Sequence, residues 1–165
     1  MSIIPNAQQT IAEEQSEPLS EVRTDVTTGH RSLFSKKVFH PDDVISHFYW
    51  EEVRNTPTYL TVQIGEDRHV ELLPTYLECA NHSCHPNAFF DTTKKQLVCI
   101  RPIQVAEEIT FFYPSAEWDM DQPFDCHCKS AECIGHIAGA KYLSPDQTQH
   151  YRFTDFIRQK LHASN

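Results

Sequence analysis

This 165-residue chain is predicted to be mostly β, built of many short strands and closed by one C-terminal α-helix. Three observations support that prediction. Apolar residues recur in short runs rich in β-branched and aromatic side chains, each bounded by turn formers. Helical periodicity is confined to the last twenty or so residues. A hydrophobic fraction of 39% and an aromatic fraction of 11% suffice for one packed core.

Residues 1–24 are polar, carry Pro5 and Pro18 and show no period, so they read as a flexible arm. The candidate strands then follow in order: TYLTVQI from Thr58, HVEL from His69, NAFFDTT from Asn87, QLVCIRPI from Gln96 and EEITFFY from Glu107. The intervening GEDRH has the look of a hairpin loop, with Gly65 and Asp67 as its turn residues. The helix is expected over 144–165. Ser144 supplies a hydroxyl at the N-cap, Pro145 the first helical position and Gln147 the reciprocal capping partner. Tyr151, Phe153, Phe156, Ile157 and Leu161 recur at spacings compatible with one face.

Composition narrows the function. A formal charge of −9 argues against direct nucleic-acid binding, which needs basic surface to displace counterions, and suits a partner with a basic segment. No apolar run is long enough for a membrane span, and the N-terminus has neither the basic nor the apolar region of a signal peptide. The expectation is an intracellular protein, cytoplasmic or nuclear, whose six cysteines are reduced or metal-bound.

Three stretches carry chemistry. In CHCKSAEC, Cys126, Cys128 and Cys133 lie close enough to share a zinc ion, which favours four tetrahedral sulfur or nitrogen ligands. Two residues compete for the fourth position. His136 closes the shorter loop, but closure entropy grows only logarithmically with length, so the distant Cys84 stays open. In EEITFFYPSAEW, Tyr113 ends a strand-like run; facing a cleft, its hydroxyl would orient a nucleophile or stabilise charge. In ANHSCHPN, Cys84 beside His82 and His85 has the elements of a nucleophile–base pair without the sequence context of a thiol protease.

Taken in order, NHSCHPN at 81–87, EEITFFY at 107–113 and CHCKSAEC at 126–133 resemble the SET-domain protein lysine methyltransferases with a cysteine-rich post-SET segment. The resemblance covers roughly residues 29–140. It implies several small curved β-sheets around a threaded, knot-like C-terminal segment, with a SET domain at 25–115 and a post-SET zinc segment at 116–143. It further implies an enzyme that transfers methyl groups from S-adenosylmethionine to a lysine in a basic protein segment, such as that of a histone. A catalytically silent SET module that only binds a partner is the alternative.

Residue by residue, Asn81 and His82 would contact the cofactor, as would Ser32 and Phe34 in GHRSLFS, where the family carries a glycine-rich loop. Tyr113 would be the active-site tyrosine, touching cofactor and substrate. Phe111 holds a position that is phenylalanine or tyrosine in the family; the missing hydroxyl leaves room for di- or trimethylation. Cys84 would join Cys126, Cys128 and Cys133 on structural zinc. The usual channel tyrosine has no match in the expected place, and Tyr49 and Tyr59 are its candidates.

Overall fold

The computed structural model describes residues 18–164. Within them run β1 (Ser20–Thr24), β2 (Arg31–Ser35), β3 (Val44–His47), β4 (Thr61–Gly65), β5 (Arg68–Glu71), β6 (Asn81–His82), β7 (Ala88–Asp91), β8 (Gln96–Cys99), β9 (Thr110–Phe111), β10 (Phe124–Asp125) and β11 (His136–Ile137). Two helices follow, α1 (Pro145–His150) and α2 (Asp155–Ala163). The strands form five small sheets: β1–β2, β4–β5 and β10–β11 are antiparallel pairs, β3–β8–β7 is a three-stranded sheet, and β6–β9 is parallel. The expected mostly β architecture of small sheets is what the chain adopts.

Pattern and packing agree strand by strand. In β2, Leu33 and Ser35 point inward while their neighbours remain accessible, the period-2 signature of a half-buried strand. In β7, Ala88, Phe89 and Phe90 are all buried, because the strand is covered on both faces. Phe90 enters the main core with Leu33, Phe39, Leu97, Ile103 and Ile109, while the Arg152 guanidinium lies 4.2 Å over the Phe89 ring. The β4–β5 hairpin turns at Glu66–Asp67, and Asp67 takes the left-handed φ of 48° that such turns demand.

Two expectations meet a different structure. Residues 1–17 of the anticipated arm lie outside the described residues, and its last stretch is the strand β1, paired along its whole length with β2. That strand looked like a tail because four of its five residues are exposed at a sheet edge. The C-terminal segment is not one helix but two. The capping box of α1 forms, with Gln147 N–H donating to Ser144 Oγ at 3.2 Å and Ser144 N–H to Gln147 Oε1 at 2.8 Å. The chain then leaves the helix at Tyr151, whose ring stacks on Phe112 at 3.6 Å and 8°, and whose hydroxyl donates to the Cys84 carbonyl at 2.9 Å. Thr154 N–H bonds the Ser115 carbonyl at 2.9 Å, and the Thr154 hydroxyl caps α2. These tertiary contacts outweigh the helical period, which is a weak constraint over so few residues. Helix α2 then buries Ile157 against Phe112, Ala140 and Phe153, a second apolar cluster that seats the C-terminal segment beside β9.

Candidate active site and metal centre

Parallel strands β6 and β9 build the site. Their register sets Asn81 opposite Thr110 and His82 opposite Phe111, so the stretch from Asn81 runs alongside the stretch ending in Tyr113. The fully buried Asn87 fastens the far end. Its Nδ2 donates to the Glu108 carbonyl at 2.8 Å and its Oδ1 accepts from Thr110 N–H at 2.9 Å. A buried amide satisfied on both sides is a strong orienting clamp. Ser83 N–H adds a bond to the Phe111 carbonyl at 3.0 Å. At the near end, Asn81 Nδ2 reaches Ser32 Oγ at 2.9 Å and Glu108 Oε1 at 3.1 Å, tying β2 to both strands.

Beside this pair lies a cavity of about 460 Å³, within the range of small-ligand sites. Asn81, Phe90, Phe111, Tyr113, Glu117 and Phe124 all face it. Phe111 and Tyr113 sit ring to ring at 4.7 Å, and Phe90 meets Phe111 edge-on at 4.7 Å. Tyr113 donates its hydroxyl hydrogen to the Ala80 carbonyl at 3.4 Å. Burial pushes the phenol up to about 12, so Tyr113 stays protonated and acts as a hydrogen-bonding group rather than a base.

His82 stands behind the cavity wall, wedged between Tyr113 and the cysteines. Its Nδ1 accepts from Tyr113 N–H at 3.2 Å, which assigns the ring hydrogen to Nε2, 3.3 Å from Cys84 Sγ. Burial lowers its pKa to about 4, keeping the ring neutral at physiological pH. One imidazole therefore links the Tyr113 backbone to the Cys84 sulfur. Of the β2 residues, Ser32 faces Asn81, whereas Phe34 lies outside the cavity beneath the Arg23 guanidinium at 4.5 Å. His30 and Arg31 contribute the lining from this part of the chain. Tyr59 lines the cavity and Tyr49 does not, being bridged instead to Leu73.

The sulfurs of Cys84, Cys126, Cys128 and Cys133 lie within 4.8 Å of one another. Cys84 and Cys126 are 3.9 Å apart, close to the edge of about 3.8 Å that a tetrahedron with Zn–S bonds of about 2.3 Å requires. All four thiols are free of disulfides, and the set fits one four-coordinate ion. His136 is not among them: its Nδ1 faces Asp125 Oδ1 at 2.8 Å on the surface. His85 likewise turns outward to Glu132 at 2.9 Å, away from Cys84. Cys126 N–H bonds the Gly135 carbonyl, and Gly135 adopts a φ of 83°, closing the cysteine loop at its C-terminal end.

Sequence reasoning passed over two contributors. Tyr151 supports the loop that carries Cys84 rather than belonging to a helix face. Glu117 lines the cavity with its Oε1 enclosed and without a hydrogen-bond partner, and burial pushes its carboxyl up to about 8. No sequence signal marked it, since Glu117 stands in PSAEWDMD among other acids.

A sequence profile described as SET domain matches residues 7–114 of the chain. A methyltransferase of Aspergillus flavus, flvH, is 41% identical over 106 residues, covering 63% of this chain and 59% of that protein. The histone-lysine N-methyltransferase set9 of Schizosaccharomyces pombe is 42% identical over 65 residues, 38% of this chain and 14% of that protein. The histone-lysine N-methyltransferase Set2 of Drosophila melanogaster is 40% identical over 68 residues, 36% of this chain and 3% of that protein. The chain thus spans less than two thirds of the length of each of these relatives.

Proposed function

The chain belongs to the SET domain family, and from that premise we propose that it is a methyltransferase that moves methyl groups from S-adenosylmethionine to the side-chain amine of a lysine in a basic protein segment. The observation that carries this reading is the cavity that joins Asn81, Phe111 and Tyr113 in one wall. Histone-lysine methyltransferases among the relatives and the net charge of −9 both favour a basic protein substrate such as a histone tail.

S-adenosylmethionine, when bound, supplies a methyl group on a sulfonium centre. The residues of this chain supply position and environment. Asn81, held by Ser32 and Glu108, offers its amide at the mouth of the cavity near Arg31. Phe90 and Phe111 form an apolar wall that strips water from an entering alkyl chain and disfavours its charged form. The Tyr113 hydroxyl and the Ala80 carbonyl present a polar pair within that wall, suited to aligning an amine at near-attack distance. Phe111 brings no hydroxyl to hold a water against the amine, so the product is di- or trimethylated. Cys84, Cys126, Cys128 and Cys133 would hold structural zinc, which fixes the loop carrying Phe124 over the cavity.

Incubation with labelled S-adenosylmethionine and a histone mixture tests the reading, with Tyr113→Phe as control. Methyl transfer that falls at least tenfold in the variant is expected; equal transfer by both, or none by the wild type, counts against it. Mass spectrometry should find di- or trimethylated lysine from the wild type and a lower product state from Phe111→Tyr. Cofactor binding without transfer to any protein would instead mark a silent binding module.

A further inference from the structure

The cavity beside Tyr113 holds a carboxyl with one oxygen enclosed and unpaired. Glu117 follows the short 3₁₀ turn at Tyr113–Ser115, and its backbone is pinned on both sides. Gln63 N–H bonds the Ala116 carbonyl at 3.1 Å, Ala140 N–H bonds the Glu117 carbonyl at 2.8 Å, and Trp118 N–H donates to Gln63 Oε1 at 3.0 Å. The side chain is thereby committed to the cavity, where Oε1 is enclosed without a partner. A buried polar atom left unpaired costs free energy, so its retention asks for a ligand that pairs with it. The surrounding protein offers the carboxyl the Gln63 backbone N–H, which steadies its charge in part, but leaves Oε1 unpaired and supplies no free cation. Among the described residues Arg31 is the sole lysine or arginine lining the cavity, and it closes on Glu78 at 2.8 Å. The other titratable lining groups are His30, Tyr59, Cys79, Tyr113 and Asp121. His30 and Asp121 lie exposed at the rim, and burial raises the pKa of both Cys79 and Tyr113, which keeps them uncharged at neutral pH.

We propose that Glu117 receives the substrate's amine: its carboxylate pairs with the incoming ammonium and accepts one of its protons, presenting a free amine to the methyl donor. The proposal rests on the methyltransferase reading above and supplies what that reading lacks, a place for the amine's proton. A primary alkylamine in water titrates near 10.4 and arrives charged. In the cavity, one proton passes from nitrogen to the Glu117 carboxylate. The nitrogen lone pair then forms the bond to the methyl carbon while the carbon–sulfur pair stays on sulfur. The products are a methylammonium ion and S-adenosylhomocysteine, and Glu117 keeps the transferred proton until the next ammonium displaces it to solvent. Burial favours this transfer from both sides, since it penalises the carboxylate and the ammonium alike when they are separated. The apolar side chains of Val62, Leu72 and Leu77 line the same cavity and suit the methylenes of an unbranched alkyl chain.

Calorimetry with n-butylamine as the probe tests this, using protein saturated with S-adenosylhomocysteine at pH 7 in two buffers of different ionisation enthalpy. The wild type should release close to one proton per amine bound, because a carboxyl that is mostly protonated when empty must ionise as the ammonium arrives. Glu117→Gln should release none and bind the amine at least tenfold more weakly, while Glu117→Asp, which keeps the charge, should recover part of the proton release. Thermal melting of each variant reports whether it is folded, and a change of packing alone would not move the proton count. Equal affinity and equal proton release for wild type and Glu117→Gln would overturn the proposal, as would failure of the wild type to bind the amine. S-adenosylhomocysteine affinity should be the same for wild type and Glu117→Gln. A tenfold loss in the variant would place Glu117 at the cofactor and overturn the proposal. A wild type that does not bind S-adenosylhomocysteine would break the methyltransferase reading instead.

Discussion

The wall that carries Phe111 and the loop that carries Phe124 face the same cavity but are held by different physics. Behind Phe111 stand Phe39, Leu97, Ile103 and Ile109, all fully buried, and the three-stranded sheet β3–β8–β7. Around Phe124 the strands are two residues long, and Cys126, Cys128 and Cys133 are only half-buried. Such a segment cannot bury enough apolar area to order itself, so its four converging sulfurs take the place of a core. Half of the cavity is therefore stabilised by hydrophobic burial, and half by a segment whose sulfurs are placed to hold a metal. His82 spans the boundary, with one ring nitrogen toward Tyr113 N–H and the other toward Cys84 Sγ. Under the proposed function, loss of a metal from the four sulfurs would for that reason be felt at Tyr113 as well as in the loop.

Removing the metal should break the comparison most sharply. Structural zinc is worth roughly 10–16 kcal/mol in small zinc-binding peptides. Stripping it with a strong chelator, or substituting Cys126→Ser, should abolish methyl transfer and deprotect the amides of 124–137. The amides of β7 and β8 should remain slow to exchange, as hydrogen-exchange mass spectrometry would show. Metal content measured on Cys84→Ser and His136→Ala should fall in the first and hold in the second.

The opposite side breaks through packing. Ile109 is fully buried, and its N–H bonds the Leu33 carbonyl at 2.7 Å. Ile109→Ala should cost about 2–5 kcal/mol in urea unfolding with the metal still bound. Gly139 sits where the loop rejoins the fold, with a φ of 123° and a would-be Cβ 2.4 Å from the Trp118 carbonyl oxygen. Gly139→Ala should cost roughly 1–3 kcal/mol and loosen the backbone next to Glu117, raising the substrate KM more than it lowers kcat.

The most gradual effect concerns pH. Folded Glu117 titrates near 8 against 4.5 for the ordinary group. Between those values the native state keeps a proton that the unfolded chain has released, so stability falls as pH rises from about 4.5 to 8 and is unaffected below. The slope from this group is at most ~1.4 kcal/mol per pH unit. Glu117→Gln lacks it, so the melting temperature of the variant should gain on the wild type steadily from pH 5 to 8.

How much of this was legible depends on the reach of each signal. The hairpin at Asp67, the capping box at Ser144 and the cysteine triplet are set within a few residues, and all three are present as read. The single C-terminal helix was misread because Tyr151 is claimed by Phe112 and the Cys84 carbonyl, partners far away in the chain. The choice between Tyr49 and Tyr59 was not local either, since only the fold shows which of them meets the cavity. Glu117 drew no notice in the sequence because its enclosure comes from segments more than fifty residues distant, such as Gln63.

By itself the sequence determined residue types and short spacings: small strands, a thiolate cluster and the motifs that mark the SET family. Those follow from local chemistry, where a few neighbours set the backbone and the ligands. The tertiary structure alone decided which distant groups meet. Loop-closure entropy separates Cys84 from His136 by little, because it grows only with the logarithm of length. What brings the Cys84 sulfur to the cluster is the parallel pairing of β6 with β9 and the C-terminal segment fastened across both.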